Sequence, residues 1–91
     1  MEKLKKLRDE IDDIDKQIVE LIEKRMKASV QVGEVKKENN IPIFDAKREN
    51  ELIEEKIKLL KNKDLSNLII TIYNDIMSVS KSLQKNLIEK D

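Results

Sequence analysis

An apolar rhythm of threes and fours runs from about residue 2 to about residue 38, through Leu4, Leu7, Ile11, Ile14, Ile18, Leu21, Ile22, Met26, Val30, Val32 and Val35. Read as one helix, that stretch is roughly 55 Å long, against a diameter of about 30 Å for a compact globule of this size. The 91-residue chain leaves enough sequence for only two shorter helices, which cannot cover it. The rest of the stripe therefore calls for a second copy of the chain, most simply in a two-fold symmetric dimer. One Gly, one Pro, one Tyr and one Phe supply few turns and little aromatic material for a sheet. The expected class is all-α, as a single domain over residues 1–91.

The long helix should end at Asn39-Asn40, because Pro42 prevents smooth continuation. Asp45 can cap a second helix over about 45–62, its carboxylate accepting from the exposed amides of the first turn. Leu52, Ile53, Ile57 and Leu60 form that helix's apolar face. After a short connection at Asn62-Lys63-Asp64, a third helix over about 65–89 carries Leu65, Leu68, Ile69, Ile72, Ile76, Val79, Leu83 and Leu87.

Composition removes several function classes. Nineteen Lys and Arg balance nineteen Asp and Glu, so no net charge draws the chain to nucleic acid or an acidic membrane. The absence of Cys excludes disulfides, thiolate nucleophiles and zinc-thiolate sites, and the absence of His removes the commonest general base and metal ligand. Chemistry must come from carboxylates, cations and amides, with no metal and no cofactor expected. No apolar leader or membrane-length stretch is present, which points to a cytoplasmic protein.

On the first helix, Arg25, Ser29, Val32 and Lys36 share one face. Arg25 and Lys36 lie about 20° apart in rotation and roughly 16 Å apart along the axis, so both long side chains can converge on a small anion over Ser29 and Val32. Gly33 adjoins the strip and shortens its packing distance. From spacing alone the blander alternative leads, with both cations ordinary and solvated in a chain that is 42% charged. Arg8 lies about 25 Å before Arg25 and about 100° round the axis. It reaches the same ligand only from an antiparallel second copy; otherwise it is a surface residue paired with Asp12. On the third helix Ser80 and Gln84 form a polar i,i+4 pair at an apolar border, while Tyr73 and Met77 are read as core.

Taken in order, Leu7-Arg8-Asp9-Glu10-Ile11, Ile14-Asp15, Leu21-Ile22-Glu23-Lys24-Arg25, Val32-Gly33-Glu34-Val35-Lys36, Ile41-Pro42-Ile43-Phe44-Asp45-Ala46-Lys47-Arg48-Glu49, and Ser80 with Gln84 resemble the all-helical class of chorismate mutases over essentially the whole chain. The resemblance implies three helices, one very long, in an intertwined homodimeric bundle with two shared sites. It implies conversion of chorismate to prephenate by Claisen rearrangement in the shikimate pathway to aromatic amino acids. By resemblance, Arg25 and the partner chain's Arg8 bind the two carboxylates, and Lys36 and Gln84 hydrogen-bond the ether oxygen whose bond breaks. Asp45 and Glu49 hold the ring hydroxyl, Arg48 supports the carboxylate region, Ser80 lies near the ring carboxylate, and Val32 is an apolar wall. Lys36, Gln84 and Arg25 are the catalytic candidates.

Two other functions stay open at this stage. An isochorismate-pyruvate lyase would use the same fold and almost the same residues for a pericyclic elimination. A non-catalytic helical interaction or regulatory module would bury the stripe without needing the polar set. Association with another shikimate-pathway enzyme is a further expectation.

Overall fold

The computed structural model describes residues 1–89; Lys90 and Asp91, the last positions of the expected domain, lie outside the described residues. Three α-helices account for most of it: α1 (Glu2–Glu38), α2 (Ala46–Leu59) and α3 (Ser66–Glu89). No strand occurs among the described residues. The molecule measures 56 × 27 × 15 Å, its long dimension matching the length expected of α1.

The end of α1 is built by two asparagines. Ile41 N–H donates to the Lys36 carbonyl at 2.8 Å and Asn40 N–H to the Lys37 carbonyl at 3.3 Å, the pairing of a Schellman motif. That motif needs a left-handed residue, and Asn40 supplies it at φ 54°, a region asparagine tolerates better than most side chains. The chain then turns back, and Asp45 opens α2 as its N-cap, Oδ1 accepting from Arg48 N–H at 3.0 Å.

Helix α2 stops at Leu59, three residues short of the expected 62. Leu60 is extended, and the Lys63 ammonium donates to the carbonyls of Ile57 (2.7 Å) and Lys58 (3.1 Å), occupying acceptors that another helical turn would have used. The expected connection at 62–64 is a 3-10 turn over Lys63–Leu65, capped by the Asn62 side chain, so α3 begins at Ser66 rather than 65.

Helix α3 packs against both α1 and α2. Cross-helix bonds join residues 54 or 55 positions apart with both numbers rising together, so α1 and α3 run parallel where they meet. The buried interior is small: among the described residues Leu52 and Met77 are the buried hydrophobic ones, joined by Ser29, Ser80 and Gln84. By contrast Leu4, Leu7, Ile11, Ile14, Ile18, Leu21 and Ile22 are all at least 40% exposed in the single chain. No helix of the described residues is long and apolar enough to cross a membrane.

Candidate active site

The last four turns of α1, the 39–45 loop, the start of α2 and the distal half of α3 surround an open cleft of about 340 Å3. Its size falls in the range of small-molecule sites. Eight of the nine candidate residues line it: Arg25, Val32, Lys36, Asp45, Arg48, Glu49, Ser80 and Gln84. Arg8 does not; it is exposed on the uncovered part of α1.

Each polar side chain is held by a neighbour that the fold brings to it. Arg25 Nη1 donates to Ser80 Oγ at 2.9 Å, and that hydroxyl donates in turn to Met26 Sδ at 3.6 Å. One of the five guanidinium N–H groups is thereby used to fix the fork's direction. Lys36 Nζ donates to the Ile43 carbonyl at 2.8 Å, so the returning loop holds the ammonium and leaves it two further donors.

Gln84 is gripped from two sides. Its Nε2 donates to the Ser29 carbonyl at 2.9 Å and to Ser29 Oγ at 3.1 Å. A Cβ on Gly33 would stand 2.9 Å from Gln84 Cγ and 3.4 Å from its Cα, so the missing side chain is what lets α3 come this close to α1. Among the described residues no buried side-chain nitrogen or oxygen lacks a partner.

At the α2 side, Glu49 accepts from Lys81 Nζ at 3.0 Å, and the same ammonium sits 4.8 Å above the Phe44 ring. Arg48 lies 3.8 Å from Glu55 with both side chains more than half exposed, a pair of little energetic weight. Four cations, Arg25, Lys36, Arg48 and Lys81, thus face two carboxylates, Asp45 and Glu49, over an apolar floor of Val32, Ile43, Leu52 and Met77. The described residues hold no group of three or more metal-ligating side chains. Such a chamber is suited to binding a small anion and presenting directed N–H donors to it.

Reading the sequence missed Lys81 altogether. Its position between Ser80 and Gln84, one step from the first and three from the second, could have flagged it as bordering the same helix face. Met77, read as core, is buried and also forms part of the cleft floor. Ser29 was read as a small stripe residue; its grip on Gln84 depends on the α1–α3 register, which local sequence does not carry.

The family model described as chorismate mutase type II matches residues 7–85. A chorismate mutase of Methanocaldococcus jannaschii is 35% identical over 91 residues, covering 99% of this chain and 92% of the relative. A bifunctional chorismate mutase/prephenate dehydratase of Aquifex aeolicus is 38% identical over 93 residues, covering 96% of this chain and 25% of the relative. The protein of the same description from Buchnera aphidicola subsp. Schizaphis graminum is 40% identical over 84 residues, covering 91% and 22%. The chain therefore spans about a quarter of the length of these bifunctional relatives. No solved structure matches it at a significant level.

Proposed function

The chain belongs to the chorismate mutase type II family, and from that premise we propose that its cleft converts chorismate to prephenate. The observation that carries this reading is the set of three donors already held in the cleft: Arg25 by Ser80, Lys36 by Ile43 and Gln84 by Ser29. A Claisen rearrangement moves no proton and forms no covalent intermediate, so a chain without His or Cys can catalyse it. The reaction requires a flexible dianion folded into a compact chair-like geometry, and donors aimed at the ether oxygen, where negative charge grows.

In this reading the Arg25 fork takes a carboxylate, and Lys36 and Gln84 face the ether oxygen. If Ser29 O and Oγ share one hydrogen of the Gln84 amide, the other is left for the substrate. Asp45 and Glu49 accept from the ring hydroxyl, Arg48 and Ser80 border the carboxylates, and Val32 forms an apolar wall.

The site is completed by a second copy. The exposed Leu and Ile line on α1 and the small interior of the single chain support a homodimer, and with it Arg8 of one protomer at the Arg25 region of the other. The bifunctional relatives support association with another enzyme of aromatic amino-acid biosynthesis. The reaction is assigned to the cytoplasm, in keeping with the absence of a membrane-crossing helix among the described residues.

Following chorismate loss and prephenate formation with the purified protein, alongside sedimentation, tests both statements. Turnover by a dimer is expected, with little pyruvate released from isochorismate. No turnover of chorismate, or a fully active monomer, would overturn the corresponding half of the reading.

A further inference from the structure

Lys81 is the one cleft-lining cation that none of the proposed roles uses. It leaves α3 beside Ser80, is about two-thirds buried, and reaches the Glu49 carboxylate on α2 with Nζ–Oε distances of 3.0 and 3.4 Å. The Phe44 ring, on the loop between α1 and α2, lies beneath the same ammonium at 4.8 Å. One side chain thus ties together three segments of the cleft wall.

Glu49 poses an electrostatic problem for a dianionic ligand. Its oxygens are good acceptors for a substrate hydroxyl, but its negative charge repels two carboxylates entering the same chamber, where desolvation strengthens every charge interaction. A cation bonded to Glu49 cancels that repulsion at short range and leaves lone pairs free for the hydroxyl. The ammonium also selects one orientation of a carboxylate that would otherwise rotate freely.

We propose that Lys81 is a positioning residue that neutralises and orients Glu49, allowing the carboxylate to accept the substrate hydroxyl without opposing entry of the dianion. This rests on the reading of the cleft as a chorismate site. The role is one of binding rather than of rearrangement, because Lys81 acts through Glu49 and away from the ether oxygen assigned to Lys36 and Gln84.

Steady-state kinetics on chorismate with the full chain test it, using Lys81→Met, Lys81→Arg, Glu49→Gln and the Glu49→Gln/Lys81→Met double variant. Helicity and sedimentation are checked for each. Lys81→Met should raise KM about tenfold and change kcat less than threefold, and Lys81→Arg should bring KM back to within about threefold of wild type. In the Glu49→Gln background, where no charge remains to neutralise, Lys81→Met should add less than twofold. A KM unchanged in Lys81→Met, a loss confined to kcat, no rescue by Arg, or the same tenfold penalty in both backgrounds would overturn the proposal. Wild-type protein without chorismate turnover would instead remove the functional reading beneath it.

Discussion

The two halves of α1 have the same periodicity but different fates. Leu4, Leu7, Ile11, Ile14, Ile18 and Leu21 are spaced alternately three and four apart, the seam of a coiled coil, and all are exposed in the single chain. The same seam continues through Arg25, Ala28 and Val32, and those residues line the cleft. Beside this second part lie the small residues Ser29 and Gly33, both buried where α3 comes close. Side-chain size, more than periodicity, separates the regions: small residues admit a helix of the same chain, and Leu and Ile form an exposed apolar ridge in the single chain. Because the two parts share one face, whatever covers the apolar seam ends beside the cleft. A second copy laid there would bring its own α1, with Arg8, to Arg25.

The sharpest contrast comes from removing cations on the covered half. Lys36→Ala and Arg25→Ala should each lose on the order of 3 kcal/mol of transition-state stabilisation, at least a hundredfold in turnover. Their thermal unfolding should stay close to wild type, since neither side chain is in the small apolar interior. Folded variants with near-native turnover would mean that the covered half is only a packing surface.

Arg8 tests the other half. Arg8→Ala should lower kcat/KM by tens of fold although the residue lies outside the cleft of its own chain. Mixing unfolded Arg8→Ala and Arg25→Ala chains and refolding them together should restore about a quarter of wild-type activity. Half the dimers are then mixed, and each mixed dimer has one site with both arginines intact. No recovery on mixing, with dimers present, would break the link between the exposed seam and the cleft.

How far the sequence carries one toward this site differs by residue. The start of α2 was legible because a cap is local chemistry: Asp45 three residues before Arg48 is both the signal and the bond. The end of α2 was not, because Lys63 reaches back across the turn to two carbonyls, and a lysine after a helix does not announce which acceptors it will take. Likewise the polar set on α1 could be named from helical spacing, whereas Lys81 was not singled out. Its partners Glu49 and Phe44 lie 32 and 37 positions away, on segments whose approach is decided by the 60–65 turn and the packing of α3. The dianion chemistry itself entered through the ordered fragments of a family pattern, not through periodicity.

Gln84→Glu sharpens the reading of the covered half at one atom. An amide donates at any pH, but a carboxylic acid donates only while protonated. The variant should be active at acidic pH and lose activity as pH rises through the new carboxyl's pKa, falling at neutrality by about tenfold or more. Arg25 and Lys36, lining the same cleft, favour the ionised carboxylate at neutral pH. A flat profile through neutrality would take Gln84 out of the donor role.

At Gly33 two effects of similar size oppose each other. Replacing Gly by Ala within a helix gains about 1 kcal/mol of propensity. The new Cβ, however, would meet Gln84 Cγ at 2.9 Å, and that atom cannot swing aside cheaply, because the amide beyond it is anchored on Ser29 and the Cα behind it is only 3.4 Å away. Overpacking of this kind costs about 1–3 kcal/mol, so Gly33→Ala should change net stability by no more than about 2 kcal/mol, toward destabilisation. Activity should respond more clearly, by about tenfold in kcat, because the relief available is displacement of Gln84 from its donor position. A Gly33→Ala protein with lower thermal stability but native kcat would show that the close approach of α3 to α1 serves packing alone.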